Sequence, residues 1–102
     1  MQTLIVLFNL KDDVDAAAYE RWARETDLPV ASALASVDSF EVLRTLAVMG
    51  SDQAPPYQYI ERLCINDMAL LGQEAGSLAM QKVAAEFRTF ADNPLFIITE
   101  SI

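Results

Sequence analysis

The run TLIVLFNL, residues 3–10, leaves the rest of the chain little freedom. Read as a strand, it puts Leu4, Val6, Phe8 and Leu10 on one wholly apolar face. Thr3, Ile5, Leu7 and Asn9 fill the other, which is polar only at its two ends. Such a strand has to be covered on both sides. At 102 residues the chain fits one domain, residues 1–102, whose own helices cover one side of a sheet. A hydrophobic fraction of 53% is high for so small a protein, so part of the apolar surface is expected in a subunit interface. A homodimer is the economical arrangement.

After Lys11-Asp12-Asp13, Val14-Asp15 opens a helix, with Asp15 or Asp13 suited to cap it. The helix runs to about Glu25 and places Tyr19, Trp22 and Ala23 on one face. Glu20, Arg21, Arg24 and Glu25 take the opposite face, with Glu20–Arg24 and Arg21–Glu25 spaced as i,i+4 ion pairs. At Asp27-Leu28-Pro29 a break is expected, because a residue before proline avoids helical dihedrals. A short helix then follows from about Leu28 to Ala35, for which Asp27 is a good N-cap.

Val37 to Met49 is rich in strand formers and reads as a strand from about Phe40. Residues 50–56, GSDQAPP, form a loop, and Tyr57 to Ile65 the next strand, making a hairpin. Asn66-Asp67 caps a helix beginning at Met68, weakened by Gly72 and Gly76, and Ser77 caps a second segment. There Met80, Val83, Ala84, Phe87, Phe90 and Ala91 form an apolar stripe that Asn93-Pro94 ends. Leu95 to Ile102 reads as the last strand. The order β-α-β-β-α-β predicts an α+β, ferredoxin-like fold: a four-stranded antiparallel sheet with helices on one face. The other face is left for a second copy.

Fifteen acidic residues against seven basic give a net charge of −8, which repels nucleic acid and anionic membranes. With no histidine and only Cys64, the chain lacks disulfides, Cys/His zinc sites and histidine-dependent nucleophiles. No glycine-rich phosphate loop or dinucleotide fingerprint is present, so no cofactor is expected. Neither a signal peptide nor an apolar run long enough to span a bilayer is evident, which points to a cytoplasmic protein.

Tyr19-Glu20-Arg21-Trp22, Asp27-Leu28-Pro29-Val30, Tyr57-x-Tyr59-Ile60-Glu61-Arg62 and Phe87 to Pro94 together resemble the dimeric α/β-barrel superfamily. Within it, the chain is similar to the RedY/HapK-like proteins of prodigiosin-type pigment biosynthesis. In the EthD-like branch a histidine follows the aromatic helix; here Asp27 stands near that position. The resemblance implies a homodimer whose two sheets enclose a barrel-like cavity, and work on a small aromatic or pyrrolic intermediate. It leaves open whether that work is catalysis, such as cofactor-independent condensation, cyclisation or dehydration. The alternatives are a non-catalytic carrier and a cofactor-independent monooxygenase.

Asp27 and Glu61 are the candidate catalytic residues: a carboxylate at Asp27, beside Trp22 and near a dry cavity, gains a raised pKa suited to proton transfer, while Glu61 orients the substrate. Tyr59 shares a strand face with Tyr57 and Glu61, and its hydroxyl suits a pyrrole N–H or a carbonyl. Arg44 is the expected partner of Glu61, or an anchor for a substrate carboxylate. Tyr19 and Trp22 belong to the core or to the pocket wall, and Asn9 is placed toward the dimer cavity.

Overall fold

The computed structural model describes residues 1–102. Strand β1, Gln2–Leu10, leads into helix α1, Ala16–Trp22, a π-helical turn, Ala23–Asp27, and helix α2, Leu28–Ser32. Strands β2, Val37–Arg44, and β3, Tyr59–Ile65, follow. Helices α3, Met68–Glu74, and α4, Leu78–Phe90, precede strand β4, Ala91–Glu100. The sheet runs β2-β3-β1-β4, antiparallel throughout, so β3 sits between the two strands that the first helical segment connects. This is the ferredoxin-like α+β arrangement expected from the sequence.

Register assigns the faces. Leu4, Val6 and Phe8 stand opposite Leu63, Glu61 and Tyr59, which in turn oppose Phe40, Val42 and Arg44. Val6 and Phe8 are almost fully buried, so this is the face under the helices. Phe8 sits at its centre, edge-on to Tyr19 and Phe87 and stacked on Tyr59. The opposite face carries Ile5, Leu7 and Ile60, with Leu43, Leu95 and Ile97 exposed.

Asp15, Asp67 and Ser77 cap α1, α3 and α4, each accepting a backbone N–H of the first turn. Other expectations are corrected. The chain does not break before Pro29: Asp27 and Leu28 keep helical dihedrals, and the Leu28 N–H reaches back to the Ala23 carbonyl. This i→i+5 turn is wider than an α turn, which lets the helix continue past a proline ring that a regular turn would meet head-on. Asp27 makes no capping hydrogen bond and is buried instead.

Strand β2 starts at Val37 and stops at Arg44, where Thr45 bonds to the Tyr57 and Gln58 carbonyls and closes the hairpin. Strand β4 starts at Ala91, ahead of Pro94. It is an edge strand that pairs only with β1, and its register slips between Leu7 and Asn9, where Asn93 takes a positive φ of 46°. A bulged edge is where a sheet tolerates proline.

Candidate functional site

Four buried positions follow one another along the first helical segment: Tyr19, Ala23, Asp27 and Ala31. A spacing of four drifts by about 40° per step in a helix of 3.6 residues per turn. The π-helical turn takes up that drift and keeps Asp27 aimed at the sheet. Below it, on the central strand β3, Glu61 points up from the helix-covered face. Both residues are only 6% exposed.

The two carboxyl groups meet, and their contact raises the pKa of Glu61 while it offsets part of the rise at Asp27. Burial is the chief cause that raises the pKa of each; for Glu61 the adjacent Asp27 charge adds to it. No arginine or lysine pairs with either: the ion pairs are Arg24–Glu20, Arg44–Glu20 and Arg62–Glu41. Two adjoining carboxyls without a cation settle by holding one proton between them. Tyr19 approaches Glu61 from beside Phe8. Its hydroxyl is buried without a well-formed hydrogen bond, and burial pushes its pKa far above the ordinary value, so it remains a neutral donor. Glu61 Oε2 is likewise buried and unpartnered.

The pair opens into a cavity of about 210 Å3 between the sheet and the helices, in which 13 of the 15 lining residues are hydrophobic. Asp27 and Glu61 are its two charged residues. An engineered apolar cavity of about 150 Å3 holds benzene, so this space takes a single ring with substituents. Leu71 and Ala75, with Met80, Val83, Ala84 and Phe87 from α4, form the roof. The sequence shows the α4 residues only as a core stripe; nothing in it separates core from cavity wall.

Tyr59 and Arg44 lie on the same sheet face but belong to a neighbouring cluster. Arg44, expected to pair with Glu61, instead grips Glu20 through Nε and Nη2. Tyr59 donates to Glu20 Oε2 at 2.7 Å. The hydrogen bonds from Arg44 and Tyr59 hold the Glu20 carboxyl down at about 2, while burial and the donated bond push Tyr59 up to about 12. The cluster ties α1 to β2 and β3 beside the carboxyl pair. Glu20 was legible only as one half of an i,i+4 pair. Arg24 does contact it, at 3.5 Å, whereas Arg21 and Glu25 form no ion pair.

Trp22 donates from Nε1 to Glu86 at 3.1 Å and packs on Phe90, joining α1 to α4 away from the cavity. Asn9 is on the other side of the sheet. Its amide donates to the Pro56 carbonyl and accepts from the Gln58 N–H, anchoring the hairpin loop. No group of three or more acidic, cysteine or histidine side chains is gathered as a metal-ligand set, and no helix is long and apolar enough to cross a membrane.

Strand order, register and one-sided helices define a ferredoxin-like α+β protein with an acidic pair buried under its helical layer. Comparison of the sequence with known families places it more narrowly. The chain belongs to the family described as REDY-like protein HapK, which matches residues 2–102. Among solved structures it is similar to HapK from Hahella chejuensis, at 28% identity over 100% of this chain and 93% of that one, with a TM-score of 0.79. It shares its fold with an EthD family protein from Bacillus halodurans C-125 (16% identity, 100% and 99% covered, TM-score 0.77). A dimeric ferredoxin-like protein of unknown function from Thermobifida fusca YX is also similar (11% identity, 98% and 90% covered, TM-score 0.77). A search of the curated proteins gave no match.

Proposed function

We propose that this protein takes up a small, largely apolar heteroaromatic intermediate of secondary metabolism, of the kind used in prodigiosin-type pigments, and moves protons on it without a cofactor. The observation that carries this reading is the Asp27–Glu61 pair at the wall of an otherwise apolar, ring-sized cavity. Family membership supports the biosynthetic setting. The site lies within one chain, beneath the helices. The homodimer is a separate element of the proposal, supported by the exposed apolar sheet face and by the Thermobifida fusca neighbour's description as dimeric.

In a dehydrative step, the Asp27 carboxylate removes a proton from the ligand and Glu61 delivers its own to the departing hydroxyl, which leaves as water. The proton now on Asp27 passes directly to Glu61, because the two carboxyls touch, and the pair is restored. Tyr19 lies beside Glu61 as a buried, neutral hydroxyl. Tyr59, Arg44 and Glu20 fix the helix over the sheet and so act as positioning residues, while Trp22 and Asn9 hold the scaffold.

Asp27→Asn tests the reading. It is expected still to take up the intermediate and, at saturating ligand, to lose turnover by roughly 100-fold or more, the usual worth of a general base. Wild-type protein that binds the intermediate and never turns it over makes the protein a carrier and ends the catalytic assignment.

A further inference from the structure

We propose that the ligand of this cavity is a cation: a single-ring molecule with an amidinium, ammonium or protonated ring nitrogen whose N–H groups bridge Asp27 and Glu61. The inference rests on the cavity being the ligand site, as argued above, and names the chemical class it selects.

Three observations point to a positive charge. The acidic pair has no cationic partner in the chain. Its neighbours Arg24 and Arg44 both contact Glu20, and Arg62 lies on the far face of the sheet with Glu41. Next, Glu61 Oε2 is buried without a partner although the residue lines the cavity, and the Tyr19 hydroxyl beside it is unpartnered too. A carboxylate in apolar surroundings costs several kcal/mol unless a charge or strong donor meets it. A neutral N–H satisfies an acceptor and leaves the charge uncompensated, whereas a cation does both.

Last, the remaining walls offer a cation no repulsion. The other elements packed on the cavity present apolar side chains, among them Phe40, Phe87 and Phe96, whose ring faces favour a positive charge. The chain's net charge of −8 draws cations toward it and discourages anions. The site therefore reads a flat apolar body with one positively charged edge.

Benzamidine and benzamide supply a matched test, since they share size and shape and differ by one charge. Each is titrated into the wild-type protein near neutral pH and followed by NMR at the Ala31 and Ala84 methyls, which line the cavity. Benzamidine is expected to bind roughly tenfold tighter than benzamide, the scale of a charge-assisted contact. In the double variant Asp27→Asn/Glu61→Gln that preference is expected to vanish. Equal or tighter binding of benzamide by the wild type overturns the cation inference and leaves the cavity as the ligand site. A preference for benzamidine that survives in the double variant also overturns it. If neither compound, nor toluene, shifts those methyls, the cavity is not the ligand site and both readings fall.

Discussion

Glu61 on the central strand β3 and Asp27 in the π-helical turn meet carboxyl to carboxyl, and no basic side chain lies between them. In most proteins this is an unstable combination, tolerated where the strain serves a purpose. Here the same burial that disfavours the charges also prepares them. One group stays protonated to give a proton while its neighbour stays ionised to take one.

That arrangement has a thermodynamic signature. Both pKa values are raised, chiefly by burial, so the folded chain holds protons that the unfolded chain releases in the ordinary carboxylate range near 4. The resulting stability is fully present at pH values below that range and is lost as the pH rises through the raised values. Wild-type thermal stability is therefore expected to fall between roughly pH 5 and pH 9. Glu61→Gln should flatten that fall and exceed the wild type at the alkaline end by about 1 kcal/mol or more, since one pKa unit is worth about 1.4 kcal/mol. A melting series over this range, on both proteins, decides it. Parallel curves would mean that the pair carries no buried ionisation.

The bare sheet face makes a second prediction. Leu43, Leu95 and Ile97 are each more than 40% exposed on the side away from the helices, and Ile5, Leu7 and Ile60 lie between them. An exposed apolar surface of this kind marks an interface. Light scattering at micromolar concentration should give twice the chain mass for the wild type. Ile97→Glu, placing a charge in that interface, should give the single mass with an unchanged far-UV spectrum. A monomeric wild type would remove the homodimer from the proposal.

The fold was legible because its signals are local. The alternation in residues 3–10, the caps at Asp15, Asp67 and Ser77, and the stripe through Val83 and Phe87 each depend on near neighbours in sequence. Asp27 and Glu61 were legible as carboxylates in apolar stretches. Their mutual contact was not, because it depends on the π-helical turn, and the Leu28-Pro29 dipeptide argues locally for a break there. Arg44 pairs with Glu20 and not with Glu61 for a related reason. Alternation correctly put it on the Glu61 face, but Glu20 arrives from the helix above, where no strand pattern reaches. Asn9 alternates away from Phe8 as expected. Its amide is taken up by the loop carrying Pro56 and Gln58, a contact no periodicity encodes.

The last prediction concerns the roof of the cavity. Helix α3 buries none of its own residues, yet Leu71 within it and Ala75 at its end line the cavity. What fastens its end is Glu74, whose carboxylate accepts the Ala35 N–H at 2.9 Å and the Ser36 N–H at 3.1 Å. Contacts with Ser36, and with the Ala35 amide, hold the Glu74 pKa below the ordinary carboxylate range. The sign is opposite to that of the buried pair: the latch is in force above the ordinary range and lets go only as the pH falls through the lowered value. Glu74→Ala is expected to speed amide hydrogen exchange at Ala35, at Ser36 and along Met68–Glu74 by roughly tenfold, leaving β1 and β3 protected as before. Glu74→Gln, which keeps one acceptor oxygen, should fall between the two. If exchange along α3 is the same in all three proteins, the roof is held by Leu71 and its apolar neighbours, and the carboxylate is incidental to it.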